Sequence, residues 1–208
     1  MRRALISDFG GVLTTPLGNS FAAWSRESGV PLEDLGKAMA AAAERHDGEH
    51  PLFLLERGEL NQQEFLQRLG AELGEGQSLD GMLDVYFAHL ERNPPMIDYV
   101  RALRDRGLRT ALLTNNVREW EPRWRALLPE IDEIFELVVD SAFVGMRKPE
   151  PAIYLLTVER LGGGLQAGDC VFVDDIELNC DAARALGMTA VHFRDFEQAR
   201  EEIEAALS

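Results

Sequence analysis

Five short apolar runs limit most strongly what this chain can fold into. Each is a few residues long and rich in Val, Ile or Leu, and most are followed by a helical pattern. Short, continuously apolar strands that alternate with helices are typical of a parallel sheet covered on both faces. The sequence therefore predicts a doubly wound α/β fold. The predicted strands are Ala4–Ser7, Thr110–Leu113, Leu137–Val139, Val171–Val173 and Ala190–Phe193.

The segment between the first and second runs breaks this alternation. It has helix-like stretches and no convincing strand, and its roughly 70 residues far exceed an ordinary strand–helix connection. We expect 17–91 to be an inserted helical cap on a core formed by 1–16 and 92–208. Asn61 and Glu64 have the spacing of a helix capping box. The predicted helices of the insertion are Phe21–Ser28, Leu32–Glu44, Asn61–Leu73 and Leu79–Leu90.

The composition describes an acidic globular chain. Acidic residues outnumber basic ones 36 to 21, which gives a net charge of −15. A nucleic-acid-binding surface needs a basic footprint, and an anionic membrane surface would repel this chain. The two cysteines are too few for a disulfide framework, and no uninterrupted apolar run reaches the length of a membrane span. We expect a reduced, cytoplasmic protein that binds neither nucleic acid nor membranes.

Polar and charged side chains stand where several predicted strands end. They are carboxylates, a hydroxyl, an amide and one lysine ahead of a proline-initiated helix, namely Asp8, Thr114, Asn115, Lys148, Asp174 and Asp175. Because the carboxyl ends of parallel strands meet at one edge of a sheet, we expect these side chains to converge. Such a set suits a divalent metal ion and a phosphoryl group.

The order of these motifs resembles the haloacid dehalogenase superfamily. The motifs are Asp8-Phe-Gly-Gly-Val, Leu-Leu-Thr-Asn115, Arg-Lys148-Pro-Glu-Pro and Phe-Val-Asp-Asp175-Ile, spread over nearly the whole chain. Within the superfamily, the chain most resembles the branch that contains the N-terminal phosphatase domain of soluble epoxide hydrolase. The resemblance implies a Rossmann-like parallel sheet core with an inserted helical cap. It also implies a Mg2+-dependent phosphatase that acts on a small phosphorylated metabolite.

The resemblance implies a nucleophile and a metal site. Asp8 would attack phosphorus and become an aspartyl-phosphate. Asp8, the backbone carbonyl of Gly10 and Asp175 would hold Mg2+, and Asp174 would assist directly or through water. Asn179 would orient the metal-bound carboxylates or waters.

The resemblance also implies a set of groups around the phosphoryl oxygens. Thr114, Asn115 and Lys148 would bind these oxygens, and Thr114 and Lys148 would stabilise the charge that develops on them. Backbone N–H groups after Asp8, at Phe9 and Gly10, would complete the cradle. The helical cap would close over the leaving group.

Gly10 departs from the pattern of the superfamily. Many of its phosphatases carry a second aspartate two residues after the nucleophile, and this aspartate protonates the leaving group. A positioned general acid contributes about 10²–10⁴-fold to the rate, and Gly10 has no side chain to supply it. We therefore hypothesise a substrate with a good leaving group, such as a sugar 1-phosphate, an acyl phosphate or an aryl phosphate.

Two other functions fit the same residues. A metal-independent haloacid dehalogenase also uses an aspartate nucleophile without the second aspartate. A non-catalytic protein that holds a phosphorylated ligand would keep the binding groups without turnover. Metal-dependent release of phosphate distinguishes these three functions.

Overall fold

A five-stranded, fully parallel sheet forms the centre of the molecule. The computed structural model describes residues 3–46 and 48–208; Met1 and Arg2 of the predicted core and Asp47 of the predicted cap lie outside the described residues. The strand order is β3-β2-β1-β4-β5, and every neighbouring pair is parallel. The strands are β1 Ala4–Ser7, β2 Arg109–Thr114, β3 Leu137–Asp140, β4 Cys170–Asp174 and β5 Thr189–His192.

A helix follows each of these strands along the chain. None of the described helices combines the length and apolar character needed to cross a membrane. Two 3-10 helices span Arg118–Trp120 and Ala167–Asp169. The described residues form twelve α-helices: α1 Leu17–Ser28, α2 Leu32–Arg45, α3 Pro51–Glu56, α4 Gln62–Gly70, α5 Met82–Ala88, α6 Pro94–Asp105, α7 Glu121–Leu127, α8 Ile131–Ile134, α9 Ser141–Val144, α10 Pro151–Leu161, α11 Glu177–Ala185 and α12 Phe196–Leu207.

Both faces of the sheet are covered by helices. Leu5 of β1 belongs to an apolar cluster with α6 and α12, whereas Ala4 and Ile6 belong to a second cluster with α10 and α11. Successive side chains of a strand point to opposite faces, so a strand with two dry faces is continuously apolar. The α/β fold and all five predicted strands are confirmed, with strand ends that differ from the prediction by at most one residue.

Helices α1 to α5 lie between β1 and α6 and have an apolar cluster of their own. This cluster includes Trp24 of α1, Phe65 and Leu69 of α4, and Met82 of α5. Tyr86 of α5 instead joins the cluster on the sheet. The inserted helices therefore pack against each other and also against the sheet domain. The division into a core and a cap at the predicted boundaries stays a prediction.

The two ends of the inserted segment are hydrogen bonded to each other. The Thr15 amide donates to the Glu91 carbonyl at 2.8 Å, and the Glu91 amide donates to the Thr15 hydroxyl at 3.1 Å. Thr14 and Arg92 form an isolated antiparallel bridge. The chain therefore leaves and re-enters the sheet domain at one place, a few residues after Asp8.

Sequence periodicity identified four of the five helices in the insertion. Helix α1 begins four residues before the predicted Phe21, and α4 ends at Gly70 rather than at Leu73. The capping box is confirmed, because Glu64 N donates to Asn61 Oδ1 at 2.9 Å and Asn61 N donates to Glu64 Oε2 at 3.0 Å. Helix α3 was not predicted, since its six residues are too few to show an apolar period.

Asp140, the last residue of β3, is a buried carboxylate with one unsatisfied oxygen. Its Oδ1 accepts a hydrogen bond from Ala142 N at 3.0 Å and so caps α9. Its Oδ2 has no hydrogen-bond partner among the described residues. Burial raises the pKa of Asp140 to about 6. The ionised form therefore costs stability at neutral pH.

We expect Asp140→Asn to be at least as stable as the wild type at about pH 7.5, because it keeps the capping oxygen and removes the buried charge. The pKa of an unfolded aspartate is about 4, so the folded wild type binds the proton more tightly and gains stability as pH falls through 6. The variant's advantage should shrink by about 1–2 kcal/mol at pH 5. Urea unfolding at both pH values measures the free energy of unfolding of each protein. Asp181→Asn, at an exposed position, is the control. An Asp140→Asn protein that is clearly less stable than the wild type at pH 7.5 contradicts the prediction.

Candidate active site

The ends of three neighbouring strands bring the predicted site residues together. Asp8 follows the central strand β1, Thr114 ends β2, and Asp174 ends β4. β1 pairs with β2 on one side and with β4 on the other, and the three strands run in the same direction. Their carboxyl ends therefore meet at one edge, as expected for the ligand-binding side of a parallel sheet.

Lys148 lies between two of these carboxylates. Its Nζ is 2.7 Å from Asp8 Oδ1 and 2.6 Å from Asp174 Oδ2, and only 1% of the residue is exposed. Burial acts to lower the pKa of the Lys148 ammonium, but Asp174 and Asp8 outweigh burial and raise that pKa above its usual value. Lys148 is therefore a fixed positive charge in a dry site.

Asp8 is buried at the centre of the cluster. Burial raises the pKa of its carboxyl, Lys148 opposes this shift, and Asp174 adds to it. Asp8 Oδ1 also accepts a hydrogen bond from Phe9 N at 2.7 Å. The same oxygen therefore faces both Lys148 and the backbone of the following turn.

Asp174 is fully buried, and protein donors fix its orientation. Its Oδ1 accepts hydrogen bonds from Ile176 N at 2.9 Å and from Asn179 Nδ2 at 3.0 Å. Its Oδ2 accepts from Lys148 Nζ. Asn179 thus orients this carboxylate, and Asp174 in turn positions Lys148.

Three carboxylates could hold a metal ion here. Asp8, Asp174 and Asp175 each offer an oxygen atom, and these atoms all lie within 4.8 Å of one another. Gly11 leaves room for the third carboxylate, because a Cβ at Gly11 would lie 2.0 Å from Asp175 Oδ2. Burial raises the pKa of Asp175, and the charge of Asp174 adds to the shift. A hard divalent cation suits such a group of oxygens and would relieve the repulsion among them.

Asn115 and Thr114 make different contacts at the end of β2. The Asn115 side chain donates from Nδ2 to the Lys148 carbonyl at 2.9 Å and accepts from Lys148 N at 2.8 Å. This side chain therefore fixes the backbone that carries Lys148. Thr114 is buried and lines the adjacent cavity, and its hydroxyl has no hydrogen-bond partner among the described residues.

A cavity of about 130 Å³ lies beside the carboxyl ends of β1 and β2. Phe9, Gly10 and Thr114 form its sheet side. Aromatic rings from the insertion and from the segment after β2 form much of the rest, namely Phe21, Tyr86, Phe87, Trp120 and Trp124. Among the described residues that line it, Glu56 is the only one with an ionisable acidic or basic group other than the Tyr86 phenol. The cavity thus borders the sheet edge at Phe9, Gly10, Thr114 and Asn115, and its other walls are mostly apolar.

Several of these cavity residues were not found from the sequence. Glu56 lies in the unpredicted helix α3, and Tyr86 carried no motif. Trp120 and Trp124 lie four residues apart, a spacing that by itself indicates a helical face packed on the core. The structure places both rings in the cavity wall, and Trp120 Nε1 donates to Gln62 Oε1 at 2.9 Å.

Comparison with known proteins gives a family and several relatives. The haloacid dehalogenase-like hydrolase family model matches residues 2–187. Acyl-CoA dehydrogenase family member 10 of Mus musculus is 31% identical over 99% of this chain and 19% of its own length. Bifunctional epoxide hydrolase 2 of Rattus norvegicus is 32% identical over 65% of this chain and 24% of its own length. The chain therefore spans about a fifth to a quarter of these two relatives.

A third relative and a solved structure match most of the chain and most of their own length. The sesquiterpene phosphatase astK of Aspergillus oryzae is 26% identical over 93% of this chain and 90% of its own length. A haloacid dehalogenase family enzyme from Bacteroides thetaiotaomicron, solved with magnesium and inorganic phosphate, superposes with a TM-score of 0.73. It is 21% identical and covers 93% of this chain and 95% of that chain, which shows a shared fold.

We expect Lys148→Ala to destabilise the protein by about 3–5 kcal/mol, because it leaves the buried carboxylates of Asp8 and Asp174 without their cation. The chain has one other lysine, Lys37, which is exposed and pairs with Glu33 one helical turn away. Lys37→Ala is therefore a matched control, and its unfolding midpoint should hardly move. Urea unfolding of both variants measures the difference, and equal midpoints would show that the buried pairs contribute nothing.

Proposed function

This chain belongs to the haloacid dehalogenase-like hydrolase family, and from that premise we propose that it is a Mg2+-dependent phosphatase. Its substrate is a small phosphorylated metabolite, and Asp8 is the nucleophile that forms an aspartyl-phosphate. The observation that carries the proposal is the buried cluster in which Lys148 contacts Asp8 and Asp174 while Asp175 lies within 4.8 Å. This cluster offers a nucleophile, a cation and acidic metal ligands at one sheet edge.

Asp8 performs the first step by forming a bond to phosphorus. Its Oδ1 already faces Lys148 Nζ and Phe9 N, which leaves Oδ2 for the attack. The bond between phosphorus and the leaving-group oxygen breaks, and its electron pair stays on that oxygen. Lys148 and the Thr114 hydroxyl stabilise the charge on the equatorial oxygens. Water then attacks the same phosphorus, and the Asp8 carboxylate is restored.

The acidic residues support a Mg2+ site. We assign Asp8, Asp175 and the Gly10 carbonyl as direct ligands, and Asp174, whose oxygens accept three hydrogen bonds from the protein, as a contributor directly or through water. When bound, Mg2+ neutralises negative charge on the phosphoryl group. The related fold that was solved with magnesium and inorganic phosphate supports this assignment.

The cavity lining supports a substrate whose organic part is apolar. A sugar would bring several hydroxyl groups against a mostly apolar lining that offers few hydrogen-bond partners, which costs free energy. An aromatic or aliphatic group would instead gain from burial against the same lining. The relative named as a sesquiterpene phosphatase is consistent with this choice. Of the hypothesised substrates, an aryl phosphate therefore fits better than a sugar 1-phosphate.

We expect the wild type to release phosphate from 4-nitrophenyl phosphate with Mg2+ and to lose this activity in EDTA. Asp8→Asn should reduce turnover by about 10³-fold or more, because the amide is a poor nucleophile. A malachite-green phosphate assay measures both effects, and Asp181→Asn is the control for the same substitution at an exposed site. Chloride release from 2-chloropropionate without metal would instead identify a dehalogenase, and phosphate-ester binding without turnover would identify a binding protein.

We expect kcat/KM for phenyl phosphate, an aryl phosphate, to exceed that for glucose 1-phosphate by about 10–100-fold, the factor that burial of one aromatic ring supplies. Acetyl phosphate, which has a small organic part, is the control for phosphoryl transfer without cavity filling. Steady-state kinetics with the three substrates gives the ratios. An equal or higher value for glucose 1-phosphate would contradict the apolar substrate.

A further inference from the structure

Glu56 puts a carboxyl group into a cavity whose wall is otherwise mostly apolar. It is the last residue of α3 and lines the cavity together with Gly10 and Thr114. Its Oε2 accepts a hydrogen bond from Arg147 Nε at 2.6 Å, and its side chain is 14% exposed. Its Oε1 has no hydrogen-bond partner among the described residues and remains available to a molecule in the cavity.

Gly10 cannot supply the acid that is missing from the turn after Asp8. A Cβ at Gly10 would lie 2.9 Å from Leu17 Cδ1, so the Leu17 side chain occupies the space that a longer residue would need. Leu17 is the first residue of α1 and also lines the cavity. Among the described residues that line the cavity, Glu56 is the only one with a carboxyl group that could act on the leaving-group side.

We propose that the Glu56 carboxyl donates a proton to the leaving-group oxygen in the first phosphoryl-transfer step. This proposal rests on the proposed phosphatase function and adds a catalytic residue to it. Glu56 acts as the general acid that Gly10 cannot provide, and it lies in a helix about 50 residues further along the chain.

The burial of Glu56 suits a proton donor. Burial raises the pKa of the Glu56 carboxyl, and the positive charges of Arg147, Lys148 and Arg57 oppose this shift without cancelling it. The protonated form is therefore more populated than for an exposed glutamate. The hydrogen bond from Arg147 holds one oxygen in place and leaves the other to act on substrate.

The other titratable groups near the cavity are less suitable. Burial raises the pKa of the Tyr86 phenol, and the charges of Asp8 and Glu56 raise it further, so Tyr86 is a weaker acid than the Glu56 carboxyl. Burial and the charge of Arg147 lower the pKa of His50, and His50 is not among the described residues that line the cavity. Tyr86 remains a hydrogen-bond donor, and Glu56 is left as the acid.

Protons and electrons balance over the two steps. Asp8 forms a bond to phosphorus, the bond to the leaving-group oxygen breaks, and that oxygen takes the proton of Glu56 and departs as an alcohol. In the second step water attacks the aspartyl-phosphate, and the Glu56 carboxylate accepts a proton from that water. The products are inorganic phosphate, the Asp8 carboxylate and protonated Glu56.

Two substrates of similar size but different leaving groups test the proposal. Benzyl phosphate releases an alkoxide that needs a proton, whereas 4-nitrophenyl phosphate releases a stabilised phenolate that does not. We expect Glu56→Gln to lower kcat/KM for benzyl phosphate by about 100-fold or more and to leave that for 4-nitrophenyl phosphate within about threefold. An unchanged kcat/KM for 4-nitrophenyl phosphate also shows that the variant is folded.

Two further variants separate a proton donor from a structural role. Glu59→Gln removes a carboxylate from the same segment at an exposed position and should leave kcat/KM for both substrates unchanged. Glu56→Asp keeps an ionisable carboxyl and should recover part of the benzyl phosphate turnover that Glu56→Gln loses. Equal losses for both substrates in Glu56→Gln would overturn the assignment of Glu56 alone. A wild type that releases phosphate from neither substrate would overturn the phosphatase function.

Discussion

The contact of one buried ammonium with two buried carboxylates is the constraint on which the site depends. Lys148 joins Asp8 after β1 to Asp174 at the end of β4. Asn115 holds the Lys148 backbone, and Asn179 holds Asp174. Burial away from water strengthens the attraction between Lys148 and the two carboxylates, and it also makes any unpaired charge costly. Each of the three charged groups therefore fixes the position of the other two. Four chain segments are thereby locked at one sheet edge.

The sheet edge and the inserted helices contribute different properties to the site. The sheet edge supplies charges and hydrogen-bond donors on rigid strand ends, where positions are well defined. The insertion supplies aromatic rings and Glu56, which line a cavity of about 130 Å³ above that edge. In the proposed function the sheet edge would carry the chemistry of the phosphoryl group. The insertion would decide which organic group fits and whether a proton is available to it.

Gly10 and Glu56 illustrate how a missing group can be replaced from a distant part of the chain. The turn after Asp8 has no acidic side chain, and Leu17 fills the neighbouring space. Glu56 reaches the same cavity from α3, where Arg147 anchors it through a hydrogen bond. Geometry around the reacting atom matters for proton transfer, and the order of residues along the chain does not.

Local sequence patterns located the strands, the helical insertion and the polar residues at the strand ends. Apolar runs, glycines and capping residues act over a few positions, so local patterns are enough to locate them. Tertiary packing places the Asn115 side chain against the Lys148 backbone, Trp120 and Tyr86 in a cavity wall, and Glu56 in the same cavity as Gly10. These relations depend on how helices pack on a sheet over long sequence separations, and side-chain periodicity carries no information on that packing.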